Sequence, residues 1–352
     1  MKNIRQITRR WRTPSRAGTL EEVERAREKL QSQLGQAKEH SVPLQRLKEL
    51  ERAEKDIRLI MERMSRSRVA PLLRLKEEFR VLEHRYLVKK ARTIKLYWWQ
   101  HQNPRIRNIG DELSPTLVEK LSGHPVEKTS VKDCNLVAIG SILERVAAAQ
   151  RDKPLWVWGS GFIKRGGELD STMLRCAAVR GPLSARRLVS DGRPPALGDP
   201  GILADRLLRR PVQTRWEIGI VPHYVDLAHP LVGELRDRHN EAIVISPLLS
   251  PEVFVARIAS CRVVLSSSLH GLIVADSLGI PNTWVEFSRR IIGRGYKYRD
   301  YLANFGITDP KPREISRADV INSVLIRQIL SNYRRSGIEQ MKRDLVAAFP
   351  PV

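Results

Sequence analysis

The chain has 352 residues, 41% of them hydrophobic, with 62 Lys+Arg against 39 Asp+Glu, a net of +23. That length is more than one small core needs, so two or three domains are expected. The charge excludes an acidic disordered chain and favours anionic partners: nucleic acid, a membrane surface, a phosphorylated substrate or an acidic polymer.

The three cysteines, Cys134, Cys176 and Cys261, are scattered and form no CxxC. That spacing supports neither a zinc cluster nor a disulfide scaffold and suits a reducing compartment. There is no apolar run of about 18 residues. The first 16 residues are basic without the apolar stretch of a signal peptide. A soluble, cytoplasmic chain is the expectation.

Residues 1–95 hold 26 Lys+Arg and 13 Asp+Glu, a net of +13, which leaves 36 and 26, or +10, for the rest. Glycine is nearly absent there, with only Gly18 and Gly35 before Gly110. Apolar residues recur at helical spacing: Leu20, Val23, Leu30 and Leu34, then Leu44, Leu47, Leu50, Ile57 and Ile60, then Val69, Leu72, Leu75, Phe79 and Leu82. Pro43 and Pro71 would separate three helices. Residues 1–93 therefore read as a basic, coiled-coil-like helical module. Its expected uses are homo-oligomerisation through these helices or contact with an anionic membrane led by the segment around Trp11. Nucleic-acid binding is disfavoured, because aromatics are sparse and no zipper or finger pattern appears.

From residue 94 the rhythm becomes short apolar runs alternating with helical patterns, the βα signature of a parallel sheet covered by helices. Strands are expected at 94–98, 136–139, 155–158 and 176–179, with helices at 114–121, 143–150 and 182–189. The pattern restarts with strands at 217–221, 242–245, 262–265 and 282–286 and helices at 231–239, 251–259 and 269–278. This gives an α/β chain of two Rossmann-like domains facing a cleft, 94–212 and 213–314, followed by a helical segment, 315–352, able to pack back across both.

In such sheets ligands bind beyond the carboxyl ends of the strands. The richest ending is Ser266-Ser267-Ser268-Leu269-His270-Gly271, where a buried strand runs into a helix. Amides at that helix start, with Ser267, Ser268 and Gly271, suit a phosphate or carboxylate. His270 in the first turn is a candidate acid–base group; capping serines and a packed histidine are the plainer alternative. The chain has no GxGxxG, no GxxxxGK[ST] and no GxSxG, which argues against nicotinamide or flavin chemistry, a P-loop and a nucleophile elbow. No metal-ligand spacing stands out.

The stretch 262–286 resembles the polysaccharide pyruvyl transferase family, in which a strand ending in serine leads to Leu-His-Gly and a Leu-Gly-Ile-Pro helix end. Asn108-Ile109-Gly110-Asp111-Glu112-Leu113, Val179-Arg180-Gly181-Pro182, Leu197-Gly198-Asp199-Pro200, Pro222-His223-Tyr224-Val225-Asp226 and Lys297-Tyr298-Arg299-Asp300-Tyr301 are similar to further family motifs, the last two to its bacterial exopolysaccharide ketal-pyruvate branch. The matches run in order from about residue 94 to 305. One departure is Ser268, where many members carry arginine.

The resemblance implies a GT-B-like fold and transfer of pyruvate from phosphoenolpyruvate onto a sugar of a cell-surface glycan, or its lipid-linked oligosaccharide precursor, as a cyclic ketal. It implies no cofactor and no metal, and a location in the cytoplasm or at the inner face of the membrane. The chemistry needs a general acid, a base for the sugar hydroxyls and donors for the leaving phosphate. His270 and His223 are the acid–base candidates. Ser267, Ser268, Gly271, Arg180 and Lys297 are expected on the donor, and Asn108, Asp111, Glu112, Gly159, Ser160 and Tyr224 on the acceptor. A nucleotide-sugar glycosyltransferase of GT-B type and a non-catalytic glycan-binding relative remain open alternatives.

Overall fold

The chain divides into two units, Met1–Arg92 and Thr93–Val352. The computed structural model describes residues 93–104, 106–189, 194–315 and 323–352, all in the second unit. The helical reading of residues 1–92 lies outside the described residues.

The apolar runs after residue 93 become parallel strands, and the central ones are largely buried on both faces. In chain order the first lobe contains β1 (Ile94–Tyr97), α1 (Ile109–Ser122), β2 (Val126–Lys128), β3 (Leu136–Val137), α2 (Leu143–Ala147) and β4 (Leu155–Trp158). It continues with β5 (Leu169–Asp170), β6 (Leu174–Val179), α3 (Pro182–Ala185), β7 (Leu188–Val189), β8 (Ala196–Leu197) and a 3-10 helix, Pro200–Leu207. Its main sheet has the order β2-β1-β3-β4-β6-β8, and β5 pairs with β7 beside it.

The second lobe opens with β9 (Trp216–Val221), a 3-10 turn at Tyr224–Asp226, α4 (Pro230–Asp237), β10 (Ala242–Val244) and α5 (Pro251–Ala259). Then follow β11 (Cys261–Ser266), α6 (Leu269–Ser277), β12 (Asn282–Glu286), α7 (Tyr296–Leu302), β13 (Arg313–Glu314), α8 (Ser323–Asn332) and α9 (Ile338–Ala347). Its sheet has the order β10-β9-β11-β12-β13. The pairings within each sheet are parallel. Both sheets thus start in the doubly wound order second-first-third-fourth, compatible with two Rossmann-like domains. Both reverse direction between their first and third strands, which is where such sheets open a crevice.

One apolar cluster runs through both lobes. It joins Ile94, Leu96, Ile109 and Trp158 of the first to Phe254, Val264, Leu272 and Trp284 of the second. The chain end belongs to it as well. Met341 and Leu345 of α9 pack over Gly198, Trp158 Nε1 donates to the Leu345 carbonyl at 2.8 Å, and Phe349 lies edge-on to the Trp158 ring. Leu325 and Ile329 of α8 join a separate cluster on the second sheet with Val263 and Val285. The C-terminal segment therefore starts on the second lobe and ends on the first.

The elements differ from the sequence reading in several places: the expected helix at 182–189 stops at Ala185 and gives way to β7, the expected helix at 143–150 ends at Ala147, and β2, β5, β8 and β13, each only two or three residues long, were not expected. α1 begins at Ile109, five residues before the expected 114, and carries Pro115 inside it. Proline usually marks a first turn, so it pulled the expected start downstream. The 3-10 helix Pro200–Leu207 and α7 had no apolar period long enough to register, and α7 holds four aromatic or charged residues in its first four positions.

Candidate active site

The loops after β1, β9 and β11 meet where both sheets reverse. α1 starts there with its first amide turned to the other lobe, since Ile109 N–H donates to the Pro247 carbonyl at 2.7 Å. α6 starts opposite. Neither Asn108 nor Ser268 caps its helix with its side chain, so two positive helix ends converge on this point.

His270, in the first turn of α6, lies against the backbone of α1. A Cβ on Gly110 would stand 2.2 Å from His270 Nδ1, so only glycine leaves room for the ring. On its other edge, Nε2 is 3.6 Å from Asp199 Oδ2. Both atoms are buried and neither has a hydrogen bond among the described residues. The second Asp199 oxygen is fixed by the Gly201 amide at 2.9 Å. A fully buried carboxylate thus backs the imidazole just beyond hydrogen-bond distance. Asp199 was not among the expected site residues; it appeared only within the Leu197–Pro200 motif, in sequence a helix cap before proline.

Asp111, two residues into α1 from Ile109, accepts from Asn108 Nδ2 at 2.9 Å. Burial raises its pKa to about 6, against the opposing pull of the Asn108 bond, His270 and Lys297. Glu112 points outward and accepts from Gln100 at 3.3 Å.

His223 lies two residues beyond β9, just before the 3-10 turn at Tyr224. Its backbone N–H donates to Ser267 Oγ at 2.8 Å, and its Nδ1 accepts from Val225 N–H at 3.4 Å. Burial, reinforced by Lys297 and His270, lowers its pKa to about 3. The ring is neutral at physiological pH, and its Nδ1 bond leaves Nε2 as the protonated nitrogen. Tyr224 stacks beside it, ring centroids 4.6 Å apart.

Lys297 comes from α7, which spans the lobes like a strap. Tyr296 OH donates to the Leu183 carbonyl at 2.9 Å on the first lobe, and Tyr298 OH to the Ser267 carbonyl at 2.6 Å on the second. Tyr301 OH donates to Asp276 at 2.8 Å on α6. Asp300 accepts from Arg180 Nε at 3.0 Å and from Ser184 N–H and Oγ at 2.9 and 2.6 Å on the first lobe. Lys297 itself has no hydrogen bond or ion pair among the described residues. Burial lowers its pKa to about 8, with Arg180 adding to the effect and Asp111 opposing it.

The structure brings together His270, His223, Asp111, Asn108, Lys297, Ser267, Ser268 and Tyr224, whereas Gly271 packs on Ser266 Oγ and Val221 and gives its N–H to the Ser268 carbonyl at 3.1 Å. Arg180 lies behind them, fully buried: besides Asp300 it donates to Ser141 Oγ at 2.6 Å and to the Phe162 carbonyl. Gly159 and Ser160 are also internal. Gly159 has φ +93° and sits under Pro200, and Ser160 Oγ donates to the Ala138 carbonyl at 2.5 Å. Gly161 makes space for the Arg180 guanidinium, where a Cβ would stand 2.4 Å from its Cζ.

Elsewhere, a depression of about 350 Å³ lies between the 3-10 helix and α9, lined by Asp205, Arg206, Lys342 and Arg343. Lys342 is paired there with Asp205 and Glu339, and none of the expected residues lines it. Cys176 and Cys261, pushed by burial to about 11 and 12, are unreactive thiols. Among the described residues no group of three or more His, Cys, Asp or Glu could hold a metal, and no helix is long and apolar enough to cross a membrane.

Two parallel α/β lobes thus bring a histidine, a carboxyl and a half-buried lysine together where their sheets reverse. The family model for "Polysaccharide pyruvyl transferase" matches residues 82–289, and the chain belongs to that family. It is 32% identical over 212 residues to the uncharacterized protein L143 of Acanthamoeba polyphaga mimivirus, covering 57% of this chain and 71% of that one. It is 28% identical over 229 residues to the succinoglycan biosynthesis protein ExoV of Rhizobium meliloti (strain 1021), covering 63% and 68%. No solved structure matches.

Proposed function

We propose that the chain transfers pyruvate from phosphoenolpyruvate to two hydroxyls of a glycan, or of its lipid-linked precursor, forming a cyclic ketal in a GT-B-like cleft without cofactor or metal. The observation that carries this reading is the convergence of two helix starts without side-chain caps and of Lys297, held only over the Tyr298 ring, beside His270 and Asp111. Such an arrangement suits a ligand with both phosphate and carboxylate, and groups that move protons next to it.

In this scheme His270 gives a proton to the methylene carbon of the donor, and positive charge develops on the central carbon. The first sugar hydroxyl bonds to that carbon and leaves its proton on Asp111. A carboxyl with a pKa near 6 is matched to such a task. The second hydroxyl then displaces phosphate, which departs with that hydroxyl's proton. Lys297, the α6 amides and Nε2–H of His223 receive the phosphate. A neutral His223 acts here as a donor rather than as the base. Asp199 orients His270, and Arg180 holds α7, hence Lys297, through Asp300. Glu112, Asn108 and Tyr224 are placed on the acceptor side.

The test is incubation of the full chain with phosphoenolpyruvate and a panel of glycans and lipid-linked glycans. Acceptor-dependent phosphate release with an acidic ketal product is expected. Failure across the panel, with turnover of nucleotide sugars instead, would reject the proposal in favour of a glycosyltransferase.

A further inference from the structure

Four aromatic rings line up beside the proton-transfer groups, and the scheme above uses only two of them. Trp99 and His101 stand on the loop after β1, their ring centroids 5.7 Å apart and nearly perpendicular. His101 meets Tyr224 of the other lobe at 6.2 Å, again edge to face, and Tyr224 meets His223 at 4.6 Å. Trp99, His101 and Tyr224 are each only half-buried. Aromatic residues that serve only the core are generally covered, as Trp158 is in this chain. Trp99 rests on the first lobe's core beside Tyr97 and stays half-open, and from it the row crosses the cleft to the other lobe.

A polar ladder runs along the same edge. Lys128 Nζ donates to Gln100 Oε1, and Gln100 Nε2 donates to Glu112 at 3.3 Å. Gln100 and Lys128 are exposed, and Glu112 neighbours Asp111 in the sequence. The ladder thus offers donors and acceptors beside apolar ring faces, at one end of which lies the proposed base.

A pyranose ring has that same division. Its axial C–H groups make an apolar face, which suits the negative face of an aromatic ring, and its rim carries hydroxyls. A phosphate or a carboxylate would instead call for cations, and the shelf itself carries none; Lys128 sits in the ladder already engaged by Gln100.

We propose that Trp99, His101 and Tyr224 form a carbohydrate shelf that seats the acceptor sugar, with Gln100, Glu112 and Lys128 reading its hydroxyls. This deepens the proposed function and rests on the glycan half of that reading, not on the identity of the donor. The shelf presents the seated sugar's hydroxyls to Asp111, the neighbour of Glu112 in the ladder.

The experiment is calorimetric binding of labelled oligosaccharides containing glucose, galactose or mannose to the full chain, without donor. Trp99→Ala should weaken binding of the preferred oligosaccharide by about tenfold, and Trp99→Phe should restore most of it. The thermal shift given by phosphoenolpyruvate should be the same in all three proteins. His101→Ala and Gln100→Ala provide the same reading should Trp99→Ala fail to fold. Unchanged affinity in folded variants overturns the shelf, as does a wild-type chain that binds no oligosaccharide of the panel. A wild-type chain that binds the sugar through Trp99 yet releases no phosphate from phosphoenolpyruvate keeps the shelf and rejects the donor.

Discussion

Asp111 is disfavoured as an anion where it sits, and that has consequences that can be measured apart from catalysis. Its pKa of about 6 in the folded state exceeds the ordinary 3.8, so folding binds a proton more tightly. The associated stability is fully present below about pH 4 and is lost as pH rises through about 6. Asp111→Asn, which keeps the Asn108 contact, should raise Tm by about 3 °C at pH 7.5 and leave it unchanged near pH 3.5. In the proposed reaction the same variant should lower kcat/KM about 100-fold or more. The wild-type profile of kcat/KM should rise through about pH 6, as Asp111 ionises, and fall through about pH 8, as Lys297 loses its charge. Lys297→Met should remove the alkaline fall that belongs to Lys297 and raise KM for phosphoenolpyruvate. Gly110→Ala tests the steric side: its Cβ would overlap the His270 ring, so activity should be lost while circular dichroism and the α1 helix persist.

At the scale of elements, α7 is the part that makes the site one object. Its aromatic hydroxyls and Asp300 reach alternately to the two lobes, and Lys297 lies among them. The Arg180–Asp300 pair is fully buried, so removing one partner strands the other. Arg180→Met should cost about 3–5 kcal/mol, and the double variant with Asp300→Leu should recover part of it, as a double-mutant cycle in urea would report. Little of α7 was legible beforehand. No element was expected there, because the helix is short and its side chains are fixed by distant partners: Tyr296 by Leu183 and Asp300 by Arg180, each more than a hundred residues away. By contrast, the strands at 155–158, 217–221 and 282–286 and the helices at 251–259 and 269–278 were legible within a residue or two, because each is buried and carries its apolar run locally. His270 was legible from the strand–serine–helix junction it follows. Asp199 was not, since nothing in the sequence says that a cap before Pro200 faces a histidine seventy residues later. Arg180 illustrates the opposite limit: its chemistry suggests an anion, and only the fold shows that Asp300 already supplies one.

At the scale of the molecule, the two lobes share an apolar cluster and a C-terminal segment that packs on both. They should therefore unfold together. Trp158 in the first lobe and Trp284 in the second report separately on that, and a Leu272→Ala cavity, worth about 2–5 kcal/mol, should shift both signals by the same amount in denaturant. Separate transitions would mean that the shared cluster does not couple the lobes. The surplus charge also divides at this scale. Residues 96–352 carry +10, and in the proposed reaction Lys297 is the cation that meets the small anionic donor, whereas the larger share of the charge belongs to residues 1–95. The central claim is that this cleft joins an anionic three-carbon donor to a sugar. It is tested most directly by measuring phosphate released from phosphoenolpyruvate with and without a glycan acceptor, with mass analysis of the glycan. The account predicts acceptor-dependent phosphate release in step with one pyruvate ketal on the sugar, abolished in His270→Ala; phosphate release with no ketal, or an unaffected His270→Ala, would contradict it.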